Sequence, residues 1–482
     1  MGFLSYANSF SGQFLWDDES LIQYNPYIKD GAHVAKIFTS RMGSTAKEAG
    51  AFYRPVQTFS YFLDYSMFRL NPTGYHVINV VWHILVALAL FILTQILFKN
   101  GKVSLLTAVL FVVHPLHTEA VAYISGRADS LAAFFMLGAY IVYLKHDQKK
   151  GILILCGMSL SYALALLSRE NSIILPLLIG FYHYAFKKPV DRKAFLVLVG
   201  TVVLYVLWRI FVIKLGNMTQ GEIPTMAQRF PGVFVALANY YRLLILPFDL
   251  HMEYGGILFP ITDPGAILGF ILSVVLVVYA FFQRKQNTFL FFSIGWFVIT
   301  WLPVSNLVIP INAYMAEHWL YLPLIGFAFI LAKFLVGLLE NPKSKGIAIT
   351  LMGAVLIFYT GITIKQNQYW NNDIRFYKRM LRYAPQSSRL YNNLAKAYHD
   401  AGKNDELIDL LKSAIQLQPD NALAHNNLGN AYKGIGKFEE AIGSYRQAIQ
   451  IDPLHAGPYY NLSTIYSDVI GDTEEAIALL SK

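Results

Sequence analysis

Charge is scarce in this 482-residue chain: Asp, Glu, Lys and Arg make up 14% of it, against 55% hydrophobic residues and a mean hydropathy of +0.42. Soluble domains carry about 25% charge, so this composition excludes an ordinary water-soluble globule and places most of the chain in lipid. Cysteine is rarer still. Cys156 stands alone inside an apolar run, which rules out an intrachain disulfide and argues against a Cys-based metal site. The phosphate-loop pattern GxxxxGKS/T, the dinucleotide pattern GxGxxG and the zincin pattern HExxH are all missing, so nucleotide hydrolysis and zinc proteolysis have no support. The fuel for any reaction must then reside in the substrate. Met1 to Ser11 is too short and too polar to be a cleavable signal peptide.

The formal charge of +9 raises the question of nucleic acid, but the Lys and Arg residues gather in short loops between apolar spans. That is the positive-inside distribution of a membrane protein rather than a basic binding face. Apolar segments are expected at 75–97, 103–113, 130–144, 151–167, 173–186, 195–213, 265–282, 288–301, 319–339 and 346–364. Lys99 and Lys102, Lys145 with Lys149 and Lys150, Lys187 to Lys193, Arg284 with Lys285, and Lys343 with Lys345 are predicted cytoplasmic. The other side then receives residues 1–74, 114–129, 168–171, 215–264, 303–318 and everything after Lys365, with 231–250 re-entrant or interfacial. Several segments fall short of the roughly 20 residues that span a bilayer. Val103–Val113 is the clearest case, broken at His114-Pro115, and irregular backbone at membrane depth survives only inside protein or beside a water-filled cavity.

The exterior side holds the unusual residues. Phe14-Leu15-Trp16-Asp17-Asp18-Glu19 places three consecutive acids where a span would end. A carboxylate pair facing a cavity there is a candidate general base; the alternative is a solvated loop or a helix cap. Residues 51–70 alternate aromatic and polar side chains, as an interfacial helix does, with a substrate-facing lid as the other reading. His114, His117 and Glu119 are a candidate metal set, or hydrogen-bonding groups around a broken helix. Arg127 and Asp129 follow, then Ser168-Arg169-Glu170-Asn171, where an Arg–Glu pair either fixes the loop or serves a ligand. Glu317 and His318 open a later span beside aromatics that suit a membrane belt.

A repeat follows residue 364. Tyr391, His425 and Tyr459 are 34 apart, as are Leu394, Leu428 and Leu462, and Tyr398, Tyr432 and Tyr466. Gly402 and Gly436 mark the turn between paired helices, and the third unit slips by one residue to Gly471. This is the tetratricopeptide period. The chain stops at Lys482 within the second helix of the third unit, so more of the solenoid is expected beyond it.

Taken in order, these pieces resemble the transmembrane and tetratricopeptide-repeat-containing O-mannosyltransferases and their prokaryotic relatives, within the GT-C glycosyltransferases. The resemblance runs over nearly the whole chain. It rests on Trp16-Asp17-Asp18 with Asn25-Pro26, Tyr53-Arg54-Pro55, Tyr75-His76-Val77-Ile78-Asn79-Val80 with His83, the 114–119 and 126–129 motifs, Glu317 with Leu320-Tyr321-Leu322-Pro323, and the repeats. It implies an all-α fold: a polytopic membrane bundle of about eleven spans, then an α-solenoid. The expected division is 1–74 (exterior catalytic loop with interfacial helix, the family's first span missing), 75–364 (membrane domain), 365–386 (linker) and 387–482 (repeats).

The activity implied is inverting transfer of a sugar, mannose foremost, from a polyprenyl-phosphate donor to Ser or Thr hydroxyls of an exterior polypeptide. By that analogy Asp17 deprotonates the acceptor and Asp18 orients it. Arg54, Arg127, Arg169 and His318 bind the donor phosphate. His76, His114, His117, Glu119, Asp129, Glu170 and Glu317 support the site, with a divalent metal an open question. The family usually has Arg where this chain has His318, which can hold a phosphate only when protonated. The expected partners are the lipid-linked sugar, membrane lipid and a polypeptide or other protein at the repeats; nucleic acid is not among them. The repeats present the acceptor or act as an independent binding module. A bacterial plasma membrane with periplasmic repeats and an endoplasmic reticulum membrane with lumenal repeats both fit. The rival functions are a transporter for lipid-linked sugars and a non-catalytic scaffold that recruits partners.

Overall fold

The structure, a computed structural model, describes residues 1–42, 52–146, 151–213, 224–255, 257–311 and 313–481. Ala51, Lys149, Lys150 and Leu215 to Ile223, which figured in the expectations above, lie outside the described residues. The regular elements among the described residues are all helical, and the chain forms two compact units, Met1–Asn371 and Asn372–Lys482.

Among the described residues of the first unit, five helices are long and apolar enough to cross a membrane: Pro72–Phe98, Ile124–Lys145, Arg192–Ile213, Pro264–Gln283 and Lys345–Trp370. Gly101–Val113 with Pro115–Ala122 makes a sixth if that bent pair is one span, and Ile152–Ser168 and Thr288–Val304 are shorter apolar helices. The segments expected at 173–186 and 319–339 become α-helical only at Leu175 and Leu324. Before them, Glu170–Ile174 and Glu317–Leu320 wind as tighter 3-10 turns that carry the charged groups.

The polar residues at the helix ends set the boundaries. Asn71 and Asn100 cap Pro72–Phe98 and Gly101–Val113, their side chains accepting from Thr73 N–H and Val103 N–H. Pro72–Phe98 and Leu175–Phe186 stop at Lys99 and Lys187, both in the left-handed conformation that closes a helix C-terminus. Lys102 meets Glu340 at 3.5 Å, and His146 meets Asp191 at 2.7 Å, so loops expected on one side do come together in pairs.

The expected break is present. Pro115 cannot donate to the helix, His114 turns extended (ψ 128°), and the chain bends by 54° into Pro115–Ala122. It then passes through Tyr123 and the 3-10 turn Ile124–Gly126 into Arg127–Lys145. This return is what places residues 117–129 beside the acidic stretch.

Pro55–Phe68 inverts the amphipathicity of a soluble helix. Gln57, Ser60, Tyr61 and Asp64, at helical spacing, face inward and are buried, while Leu63 and Met67 are exposed. Where the surroundings are lipid rather than water, the polar stripe seeks the protein interior.

The second unit begins with Asp373–Leu381, inside the stretch expected to be a linker. Three helix pairs follow: Ser388–Asp400 with Asn404–Leu417, Ala422–Gly434 with Phe438–Ile451, and Ala456–Ile465 with Thr473–Leu480. Leu394, Leu428 and Leu462 are buried at equivalent places. Gly402, Gly436 and Gly471 take φ of 70°, 77° and 81°, conformations that cost a side chain dearly. The one-residue slip in the third repeat is absorbed where Tyr466–Ile470 forms a π-helical turn, which accommodates one more residue than an α-turn.

Candidate active site

The acidic stretch treats its two aspartates oppositely. Asp18 is 1% exposed. Its Oδ2 accepts from Leu15 N–H at 3.0 Å, and its Oδ1 accepts from Ser125 N–H at 2.9 Å and from the Ser125 hydroxyl. Burial raises the Asp18 carboxyl to about 7; the hydrogen bonds from Leu15 and Ser125 pull against that, and the neighbouring Asp17 charge adds to it. Asp17 is exposed, and its N–H donates to the Tyr123 hydroxyl at 3.1 Å. Trp16, just before it, has φ of 52°, an uncommon conformation for a bulky residue. Strain of this kind persists only where neighbours enforce it.

Three charge pairs, built from loops far apart in sequence, form a single cluster. Arg54 holds Glu170 bidentately, Nη2 to Oε1 at 2.8 Å and Nε to Oε2 at 3.2 Å. Arg169 Nη1 is bonded to Asp129. Glu119 accepts from His318 N–H at 3.0 Å and meets His318 Nδ1 at 2.7 Å. The Asp129 carboxylate interacts electrostatically with Arg169, His318, Arg54 and Glu119, which joins the pairs. Burial alone would raise the Glu170 carboxyl, but the Arg54 charge and hydrogen bonds, helped by Arg169, hold it at about 2. Pro55–Phe68 connects this cluster to the acids: one turn after Arg54, Gln57 donates to Ser125 O at 2.8 Å and to the Tyr61 hydroxyl at 2.9 Å.

Arg127 sits apart from this cluster's ion pairs. Its guanidinium is fully buried and engaged by Asp64, Asn79 Oδ1 at 2.6 Å, Ser60 Oγ at 3.2 Å and Tyr75 O at 3.0 Å, with the Tyr61 ring 4.8 Å away. A guanidinium engaged by four protein acceptors has most of its five N–H donors committed within the protein. His114, His117 and Glu119 take the second of their two readings, as groups bonded and packed around the broken helix. His114 Nε2 donates to Leu244 O at 3.0 Å while its Nδ1 accepts from Leu116 N–H at 3.3 Å. His117 is packed among the Phe111 and Tyr321 rings at 4.3 and 4.6 Å, and Glu119 is committed to His318. The three do not converge, and no cluster of three His, Cys, Asp or Glu suited to a metal occurs among the described residues. Glu317 is buried and fastens the loop beyond residue 250, accepting from His251 N–H and the Tyr254 hydroxyl. His76 is buried within Pro72–Phe98, away from solvent.

The cluster therefore brings together Arg54, Glu119, Asp129, Arg169, Glu170 and His318, and Asp17 and Asp18 are linked to it through Gln57 and Ser125. Sequence reasoning missed Ser125 and Tyr123, which hold the acids, and Asp64, the counter-ion of Arg127. Asp64 had a signal: an acid at i+7 from Gln57 and i+4 from Ser60, on one stripe of an otherwise apolar helix. Ser125 had none, because only the chain's return past His114 carries it to Asp18. Chemically, the arrangement offers an exposed carboxylate beside a fixed buried one. It also offers two guanidiniums, each with donors beyond those its carboxylate partner uses.

Comparison with known proteins bears out the family resemblance read from the motifs. A protein O-mannosyl-transferase of Caenorhabditis elegans is 27% identical over 437 residues, covering 86% of this chain and 61% of its own length. Protein O-mannosyl-transferase TMTC4 of Homo sapiens is 25% identical, covering 84% of this chain and 63% of its own, and human TMTC1 is 25% identical over 86% and 54%. The chain spans less than two thirds of the length of these relatives. The models described as "Tetratricopeptide repeat" and "TPR repeat" match residues 422–454 and 395–436. Among solved structures, the crystal structure of MamA covers 32% of this chain and 84% of its own at 22% identity, with a TM-score of 0.22.

Proposed function

We propose that this chain is a membrane glycosyltransferase of GT-C type that moves a sugar, mannose foremost, from a polyprenyl-phosphate donor to Ser or Thr hydroxyls of a polypeptide on the non-cytoplasmic side. The observation that carries the reading is the asymmetric acid pair, Asp17 exposed and Asp18 clamped by Ser125, linked through Gln57 to the helix that begins beside Arg54 of the Arg54–Arg169 cluster. The relatives named as protein O-mannosyl-transferases support the class of reaction and of acceptor. A lipid-linked sugar phosphate also answers the lack of nucleotide motifs, since its phosphate is a ready leaving group and its tail belongs in the bilayer.

In this reading Asp17 takes the proton of the acceptor hydroxyl as that oxygen forms its bond to the anomeric carbon. The bond from that carbon to the phosphate oxygen breaks on the opposite face, its electron pair leaving with the lipid phosphate, so the configuration inverts. Arg54 and Arg169, oriented by Glu170 and Asp129, use their remaining N–H groups on the phosphate as its charge grows. His318 adds charge there when protonated. Asp18, locked on Leu15 and Ser125, fixes the loop that presents Asp17. No metal is required by this scheme, and none of its steps is routed through one.

The test is transfer of radiolabelled mannose from purified polyprenyl-phosphate mannose to Ser/Thr peptides, with Asp17→Asn as the control. Lipid-linked sugar crossing vesicle membranes, without transfer to peptide and regardless of Asp17, would instead establish the transporter.

A further inference from the structure

The acidic loop is anchored at the opposite end of its own unit, on the last residues before the repeats begin. Trp370 stacks on Tyr123, ring centroids 5.3 Å apart and planes 25° apart, and the Tyr123 hydroxyl accepts from Asp17 N–H at 3.1 Å. Asn371 O accepts from Gln13 N–H at 3.2 Å, and Asn371 Nδ2 donates to Asn8 O at 2.8 Å. One turn earlier, Asn367 Nδ2 donates to Ser5 O at 2.8 Å and to Asn8 Oδ1 at 2.9 Å, while Asn8 Nδ2 donates back to Ile364 O at 2.7 Å. The first dozen residues and 364–371 are thus laced together by three asparagines.

We infer that Trp370 and Asn371 are positioning residues for Asp17, acting through the Tyr123 ring and the Gln13 backbone. The inference rests on Asp17 being the base. Hydrogen bonds from Gln13 N–H to Asn371 O, from Asn371 Nδ2 to Asn8 O and from Asn367 Nδ2 to Asn8 Oδ1 join the two ends of the unit, which fixes the loop's entry. The Tyr123–Trp370 stack fixes its exit, one residue after the strained Trp16. Trp370 is 5% exposed, so its ring is a wall behind Tyr123 rather than a surface for substrate. Removing the wall lets Tyr123 withdraw its hydroxyl from Asp17 N–H, and the turn at Trp16 loses what enforces it.

The experiment uses the full chain in detergent and four proteins: parent, Asp17→Asn, Trp370→Ala and Trp370→Phe. Mannose transfer is followed as kcat and KM for the polyprenyl-phosphate mannose donor, and amide hydrogen exchange is followed over residues 13–18. The expected result for Trp370→Ala is a kcat lower by about tenfold or more, donor KM within about twofold, and faster exchange at 13–18, with Trp370→Phe restoring both. Unchanged exchange and unchanged kcat in Trp370→Ala, while Asp17→Asn is inactive, overturns the inference and leaves the proposed function standing. Unchanged transfer in Asp17→Asn removes the base assignment instead. In that case exchange over 13–18 still decides whether Trp370 holds the loop.

Discussion

Asp17 and Asp18 are adjacent in sequence and opposite in circumstance: the Asp18 carboxylate is buried on Ser125 and Leu15, while Asp17 is exposed and its backbone N–H donates to the Tyr123 hydroxyl. Both acids meet the chain returning from the His114-Pro115 break, but Asp18 does so through its carboxylate, on Ser125, and Asp17 through its backbone N–H, on Tyr123. The fixed acid is suited to hold the loop. The exposed one is suited to take a proton.

The Asp18 carboxyl lies at about 7 in the fold, against an ordinary value of 3.8. A raised acid favours the protonated fold, so its contribution is complete below about pH 4 and is lost as pH climbs to about 7. The parent is therefore expected to lose thermal stability across that window, and Asp18→Asn is expected to remove most of the slope. Melting curves of both proteins at pH 4.5, 6 and 7.5 check this. Parallel curves would contradict the buried, proton-sensitive Asp18.

Arg127 and Arg169 are both buried guanidiniums, and they should fail differently. Arg127→Ala strands Asp64 and the acceptors around it, which costs about 3–5 kcal/mol and lowers the melting temperature sharply or prevents folding. Arg127→Lys does not rescue it, because an ammonium cannot reach four acceptors in a fork. Arg169→Gln is expected to melt closer to the parent than Arg127→Ala while slowing transfer by about tenfold or more. Equal melting losses for the two substitutions would erase the distinction between a tie and a ligand.

Glu170 is held at about 2 by Arg54, below its ordinary 4.5. A lowered acid contributes stability above its unfolded value and loses it as pH falls through about 2. Arg54→Ala should accordingly be destabilised at pH 7, and its difference from the parent should shrink as pH falls from 4.5 to 2. The same substitution is expected to raise the KM for donor if the guanidinium serves the phosphate as proposed. A difference independent of pH would mean that packing, not the ion pair, is what Arg54 supplies.

A Cβ at Gly126 would overlap the carbonyl oxygen of Glu119, so no side chain fits where the returning chain crosses itself. Gly126→Ala should cost about 1–3 kcal/mol and shift its neighbour Ser125 away from Asp18. Its expected signature is a lower melting temperature together with faster amide exchange at Ser125.

The repeats were legible almost completely in the sequence, because a 34-residue period fixes helix pairs, turn glycines and buried leucines at once; even the slip at Gly471 marked a real irregularity at Tyr466–Ile470. The helical break at His114-Pro115 was legible for a local reason, a proline that cannot donate. Pairings were not legible. Arg127 and Arg169 read alike as exterior cations, and only the inward polar stripe of Pro55–Phe68, turned by lipid surroundings, separates the one clasped by Asp64 from the one beside Arg54. The histidines near the break left two readings open, metal ligands or hydrogen-bonding groups around the broken helix, because spacing alone brings them close in sequence. Backbone carbonyls and aromatic rings, invisible at that level, claim them instead.

The most direct test of the central claim compares the parent and Asp17→Asn in mannose transfer from polyprenyl-phosphate mannose to a Ser/Thr peptide, at saturating donor and pH 7.5. The account predicts transfer by the parent and a loss of about 100-fold or more in kcat for Asp17→Asn, with donor binding retained. Transfer at the parental rate by Asp17→Asn would contradict it.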